Sequence, residues 1–161
     1  MRVYIAVTHS GLRELVGSGG LGPTPLTGFA VTPFLREAYA EGDEEELEYV
    51  AMTAAARSAL ALLARTEGEP PRRLVVAVEV EDVTPSQGDG PARVELGHVV
   101  PMRNVVSVHA DTAEAEPDVA AAVEVLRNGG PGDDDEEFVV DSCEGHELAW
   151  FATQEVGDLL A

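Results

Sequence analysis

Leu74-Val75-Val76-Ala77-Val78-Glu79-Val80 is the stretch that decides the fold. Six of its seven residues are apolar, and valine dominates. A strand with one wet face alternates apolar and polar residues, whereas a near-continuous apolar run suits a strand covered on both sides. We therefore read 74–80 as a central strand. Upstream, Asp43-Glu44-Glu45-Glu46 opens a segment that continues to about Arg65. Asp43 at the N-cap and Glu46 three residues on form a capping box, and the carboxylates face the positive end of the helix dipole. Leu47, Val50, Ala51, Ala54, Ser58 and Leu62 mark the expected buried face. The many alanines suit close packing on a sheet. A valine strand inside one sheet, with this helix laid across it, is the architecture on which the other expectations rest.

Outward from that pair, Arg2 to Thr8 is β-rich and alternates, which predicts a first strand. Leu12, Leu15 and Val16 follow at helical spacing, with Thr8 or Ser10 able to cap. Gly17, Gly19, Gly20 and Gly22, with Pro23 and Pro25, make a loop. Phe29-Ala30-Val31 reads as an edge strand or an extended lead-in. Thr32-Pro33 starts a short helix to about Tyr39 or Ala40, because proline at the first helical position needs no amide. Thr84 to Pro91 is a flexible turn. Arg93–Val100 and Asn104–His109 are expected to be strands, pairing with each other about Met102–Arg103. Asp111 opens an Ala-rich helix that ends at Asn128-Gly129-Gly130-Pro131. Residues 129–137 read as a flexible acidic loop, Phe138–Ser142 and Glu147–Ala152 as the last strands, and Thr153 to Leu160 as a final short helix. Strands and helices mix without strict alternation. The fold class is therefore α+β over 1–161, a single domain with a mixed or antiparallel sheet and helices mainly on one face.

Composition narrows the chemistry. The 161 residues carry 30 acids and 10 basic residues, all Arg, for a net charge of −20. Residues 111–161 alone hold net −14, with Arg127 their one cation besides histidine. Direct binding to nucleic acid is disfavoured, since phosphate contacts need clustered cations. The lack of Lys excludes a Walker lysine, a pyridoxal Schiff base and every lysine nucleophile. The single Cys143 excludes an intrachain disulfide. The first residues lack the apolar region of a signal peptide, and no apolar run approaches the ~20 residues of a membrane span. A cytoplasmic location without membrane contact is expected. Arginine in place of lysine, with much Ala, Gly and Pro, suggests a GC-rich genome, and the acid excess without Lys also suits a salt-adapted proteome.

Several blocks then occur in order: Met1-Arg2-Val3-Tyr4-Ile5, Leu21-Gly22-Pro23, Ala30-Val31-Thr32-Pro33 with Leu35-Arg36-Glu37, Glu41-Gly42-Asp43-Glu44-Glu45-Glu46-Leu47-Glu48-Tyr49, and His146-Glu147-Leu148-Ala149-Trp150-Phe151 with Gln154-Glu155. Together they resemble a family of short, uncharacterised actinobacterial proteins, a domain of unknown function. The resemblance spans nearly the whole chain, and Gly42–Tyr49 is its most specific block. It implies a cytosolic bacterial domain and carries over no site residue.

Candidate sites come from the residues themselves. His9, with Thr8, Ser10 and Gly11, stands where a strand enters a helix and could cradle an anion, or be a capping turn. Gly17-Ser18-Gly19-Gly20-Leu21-Gly22 follows a helix and has no Lys, which argues against a phosphate loop. His98 and His109 would be diagonal neighbours if their strands pair, with Asp111 close by as a third metal ligand; without a metal-site spacing two unrelated histidines are the preferred reading, and we assign no metal or cofactor. Cys143 near His146 suggests a nucleophilic pair, but that needs a lowered thiol pKa and an oxyanion site, a geometry that sequence neighbours on a turn rarely make. Trp150 is expected to anchor the core or an interface. The preferred ligand site is a groove between the glycine loop and the Thr32–Tyr49 region, with His9, Thr32, Tyr39, Tyr49 and Arg57 as ligand-binding residues.

The leading expectation is a non-enzymatic cytosolic domain that binds a protein or a small ligand; a homodimer is compatible with it. A second is an enzyme whose layout is loosely similar to that of ADP-ribosyltransferases, with Glu155 as a guess for the acid. A third is an acidic interaction protein that masks a basic surface.

Overall fold

A computed structural model describes residues 1–86 and 90–161. Its strands are β1 (Arg2–Val7), β2 (Gly20–Leu21), β3 (Leu26–Ala30), β4 (Leu74–Glu79), β5 (Thr84–Pro85), β6 (Arg93–Leu96), β7 (Val100–Pro101), β8 (Val105–Ala110) and β9 (Ala149–Ala152). Its α-helices are α1 (His9–Ser18), α2 (Pro33–Ala38), α3 (Glu44–Ala64), α4 (Glu116–Arg127), α5 (Asp134–Asp141) and α6 (Val156–Leu160). Seven strands form one sheet in the order β5-β6-β3-β1-β4-β8-β9, and β2 and β7 pair separately. Every pairing among the described residues is antiparallel. The fold is α+β, as the sequence predicts.

β4 lies between β1 and β8 and is buried on both faces. Leu74, Val76 and Val78 join Val3, Ile5 and Val7 in a core that also holds Leu12 and Leu15 of α1, Leu21 of β2, and Val156 and Leu159 of α6. Val75 and Ala77 point the other way, to Tyr4, Leu35 of α2 and Leu47, Ala51 and Ala55 of α3. A third cluster joins Leu60 and Leu63 of α3 to Val119, Ala122 and Val123 of α4 and Val140 of α5. Helices α2 to α5 thus belong to one side, and α1 with α6 to the other.

By length and composition α3 could cross a membrane. In this fold Leu47, Ala51, Ala55, Ala56, Ala59, Leu60 and Leu63 are instead buried against the sheet and α4. The buried stripe is rotated from the expected one: Val50, Ala54, Ser58 and Leu62 are only half-buried. A helix pressed by a sheet along one half and a second helix along the other does not follow a single hydrophobic face.

Other expectations change. β3 is an interior strand between β1 and β6, not an edge. β6 and β8 do not pair with each other; β6 pairs with β3 and β5, and β8 with β4 and β9. Val100 and Pro101 leave to pair with β2 before the turn can close a hairpin. A register shift opposite Ala77 and Val78 interrupts the alternation of β8 at Val106, which is 38% exposed. The expected turn at 84–91 contributes β5, while residues 87–89 lie outside the described ones. The acidic run expected as a loop over 129–137 enters α5 from Asp134, and Phe138–Ser142 is no strand but the rest of that helix and the turn after it. The physical reason is local. Asp133 accepts from the Glu136 amide at 2.8 Å, and four acids line the first turn, where the dipole favours them.

Candidate functional site

A cleft of about 590 Å³ opens on the α3 side of the sheet. Its floor is Tyr4 of β1, Arg73 just before β4 and His109 of β8. One wall is the α3 face from Glu45 through Tyr49, Met52, Thr53 and Arg57 to Leu60. The other wall is the segment from Cys143 to Leu148. The volume falls in the range that small-molecule sites use.

Arg73 and Asp111 fix the floor. Arg73 sits one residue before β4 and Asp111 one residue after β8, and the pairing Leu74↔Ala110 sets them opposite each other. Arg73 Nε donates to Asp111 Oδ2 at 2.9 Å and Nη2 to Oδ1 at 2.8 Å, with both side chains almost wholly buried. The Arg73 backbone amide also donates to Asp111 Oδ2. Arg73 Nη2 reaches the His146 carbonyl at 2.9 Å, which holds the second wall to the sheet. His146 Nε2 lies 2.7 Å from Asp118 Oδ2 on α4, a further tie for that wall. Buried charges are tolerated when paired in this bidentate manner.

His109 Nε2 is 2.9 Å from Ser107 Oγ, and its ring stands edge-on to Tyr4, centroids 6.3 Å apart. Burial first, and then the Arg2 cation, push the imidazole pKa down, which favours the neutral ring. Burial, reinforced by the Glu48 carboxylate, pushes the Tyr4 phenol up. The Cys143 thiol is also pushed up, by burial first, and it donates to the Asp118 carbonyl. A thiol held protonated in this way is a poor nucleophile.

The five ligand-binding residues expected from sequence divide. Tyr49 and Arg57 line the cleft. Tyr49 is 58% exposed, and Arg57 bridges Asp141 at 2.8 Å and Glu144 at 3.1 Å, joining α3 to the second wall. Tyr39 lies beside a neighbouring groove with Leu47, Val50 and Tyr49. Thr32 is fully buried; its hydroxyl accepts from the Leu35 amide and donates to the Pro91 carbonyl, so it caps α2. His9 opens α1 on the opposite side of the sheet. Thr8 caps that helix, and the Ser10 amide donates to the Glu69 carboxylate at 3.3 Å, so the chain's own acid takes the place foreseen for an anion.

The expected groove is therefore divided by the sheet. Leu21 of the glycine loop packs in the core of one face, and Leu35 and Leu47 in that of the other. His98 and His109 also separate: His98 lies beside Met1, Glu79 and Asp82, away from His109 in the cleft. Glu155 accepts from the Ala152 amide and caps the turn after β9, outside the cleft. Trp150 is 62% exposed on the edge strand, directly opposite His109, so it does not anchor the core.

Sequence reasoning missed Tyr4, Arg73, His109 as a cleft residue, and the wall at 143–148. The available signal was an arginine just before an apolar strand and an aspartate just after another. It becomes legible only once 74 is known to face 110.

Residues 1–160 match a family of unknown function (DUF6912). The chain belongs to that family. No curated protein and no solved structure matches it. Membership in DUF6912 assigns no role to the cleft, and the reading of the site stands on its geometry.

Proposed function

We propose that the protein is a non-enzymatic binding domain whose ligand, a small molecule or a segment of a partner protein, enters the cleft between α3 and residues 143–148. The observation that carries this reading is the cleft itself: a pocket of about 590 Å³ with a charge-paired floor and walls that mix apolar, aromatic and acidic side chains. Pockets of this kind combine shape with a few fixed polar groups. Its would-be nucleophiles support binding over catalysis. Cys143 is buried with its thiol pKa pushed up, and Ser107, beside His109, is buried and does not line the cleft. Catalysis by a serine or cysteine needs an activated group facing the substrate.

The proposal places the protein in the cytoplasm of an actinobacterium, in keeping with its lysine-free, arginine-only composition. The net charge of −20 disfavours nucleic acid as the direct partner. Amide shift mapping of the labelled protein, against a panel of cationic, anionic and aromatic small molecules, tests the location. Perturbations are expected at Tyr49–Arg57, His109 and 143–148. Clustering on the α1 and β2–β7 face instead would refute it. The enzymatic rival makes a separate demand: NAD at millimolar concentration should raise the melting midpoint, as any native-state ligand does.

A further inference from the structure

Two independent features of the cleft bear on what it holds. The first is its charge. Arg57 is committed to Asp141 and Glu144, and Arg73 to Asp111. Among the described residues no ion pair joins Glu45, Glu48 or Glu147; Arg2, bridged to Glu79, acts on Glu48 only at longer range, so acid is in excess around the opening. Beside them stand the rings of Tyr4 and Tyr49, surfaces that attract a cation through their faces. The second feature is Arg73. Its side chain is only 3% exposed, yet it lines the cleft. Nε and Nη2 are engaged by Asp111 and the His146 carbonyl, while Nη1 makes no hydrogen bond with the described residues. Arginine presents five donors in a fixed plane, so the unused pair belongs to a rigid, pre-positioned edge.

Resting on the reading of this cleft as a binding site, we propose that its ligand is bipolar: a guanidinium or ammonium held by Glu45, Glu48 and Glu147 against the tyrosines, joined by a short apolar stem to a carbonyl or carboxylate that accepts from Arg73 Nη1. Met52, Leu60 and Leu148 suit the stem. This is the chemistry of a free ω-amino or ω-guanidino acid, and equally of an arginine or lysine residue with its backbone carbonyl.

Calorimetric titration of the full chain separates these terms. The probes are 4-guanidinobutyrate, butylguanidine, butyrate, acetyl-arginine methylamide and the neutral 4-methylphenol. The expected order is 4-guanidinobutyrate or acetyl-arginine methylamide tightest, butylguanidine roughly tenfold weaker for want of the acceptor, and butyrate without detectable heat. Preference for the blocked arginine over 4-guanidinobutyrate identifies a peptide as the source, and the reverse identifies a free acid. The double variant Glu48→Gln/Glu147→Gln should weaken the guanidine probes by at least about tenfold. Its melting midpoint, measured alongside, confirms that it is folded. Unchanged affinity in that variant overturns the proposal. If 4-methylphenol binds in the cleft and no guanidine does, the charge assignment fails and the binding site stands. If no probe of any class binds there, both fail.

Discussion

The α3 side of the sheet is closed at one end and open at the other. Over β3, β1 and β4, α3 presents Ala51 and Ala55, side chains small enough to set the helix backbone close to Val75, Ala77 and Tyr4. Toward β8 and β9 the sheet runs on past the helix, leaving His109 half-buried and Trp150 exposed. There the opposing wall is the chain from Cys143 to Leu148, tied down by a carbonyl on Arg73 and a carboxylate on Arg57. One helix therefore both seals a core and borders a cleft. The closed end is held by close packing of small apolar residues, and the open end by polar bonds that fix a wall at a distance.

The sharpest way to break the contrast is to remove the bond that holds the open end. Asp111→Ala leaves Arg73 buried without its counter-charge and is expected to cost about 3–5 kcal/mol in urea unfolding. Arg57→Ala breaks only exposed pairs and should cost less than about 1 kcal/mol. Equal losses would show that the floor pair is not the strut described here.

Packing at the two ends gives the next contrast. Ala55→Leu inserts bulk where helix and sheet already touch and should destabilise by about 1–3 kcal/mol. Thr53→Leu, two residues away on the cleft wall, should change stability by no more than about 0.5 kcal/mol. A cost at Thr53 matching that at Ala55 would mean that the cleft is closed in solution.

The smallest effect is in pH. The folded His109 has its pKa depressed below the unfolded value of about 6.5. The unfolded chain therefore takes up the proton first. The stabilisation is present above about pH 6.5 and is lost as pH falls through the folded pKa. In His109→Gln, unfolding measured between pH 7 and 5 should lose this component of the acid slope. An unaltered slope would assign it to other groups.

Much of the closed end was legible in the sequence. The valine run from Leu74, the Asp43 cap, Thr32-Pro33 and the strand from Arg2 each rest on local chemistry that the fold does not override. Placing the open end needed pairings that no local signal carries. Val100-Pro101 broke the expected hairpin by pairing with Gly20-Leu21, and that took His98 away from His109. The acid run at 133–137 was legible only as charge, although Asp133 followed by Glu136 is the same cap-and-acid pattern that identified α3. Tyr49 and Arg57 fall on the cleft wall because they lie on α3, whose local signals were legible. The pairing of Arg73 with Asp111 was not legible, because it depends on one register between two strands.

That the cleft is where a ligand binds is tested most directly by filling it without touching the core. Thr53→Trp places an indole in the cleft from its α3 wall. The ligand-free melting midpoint should stay within about 2 °C of the parent, and the rise produced by a molecule that binds the parent should vanish. A variant that melts like the parent and keeps the full ligand-induced rise would contradict the assignment.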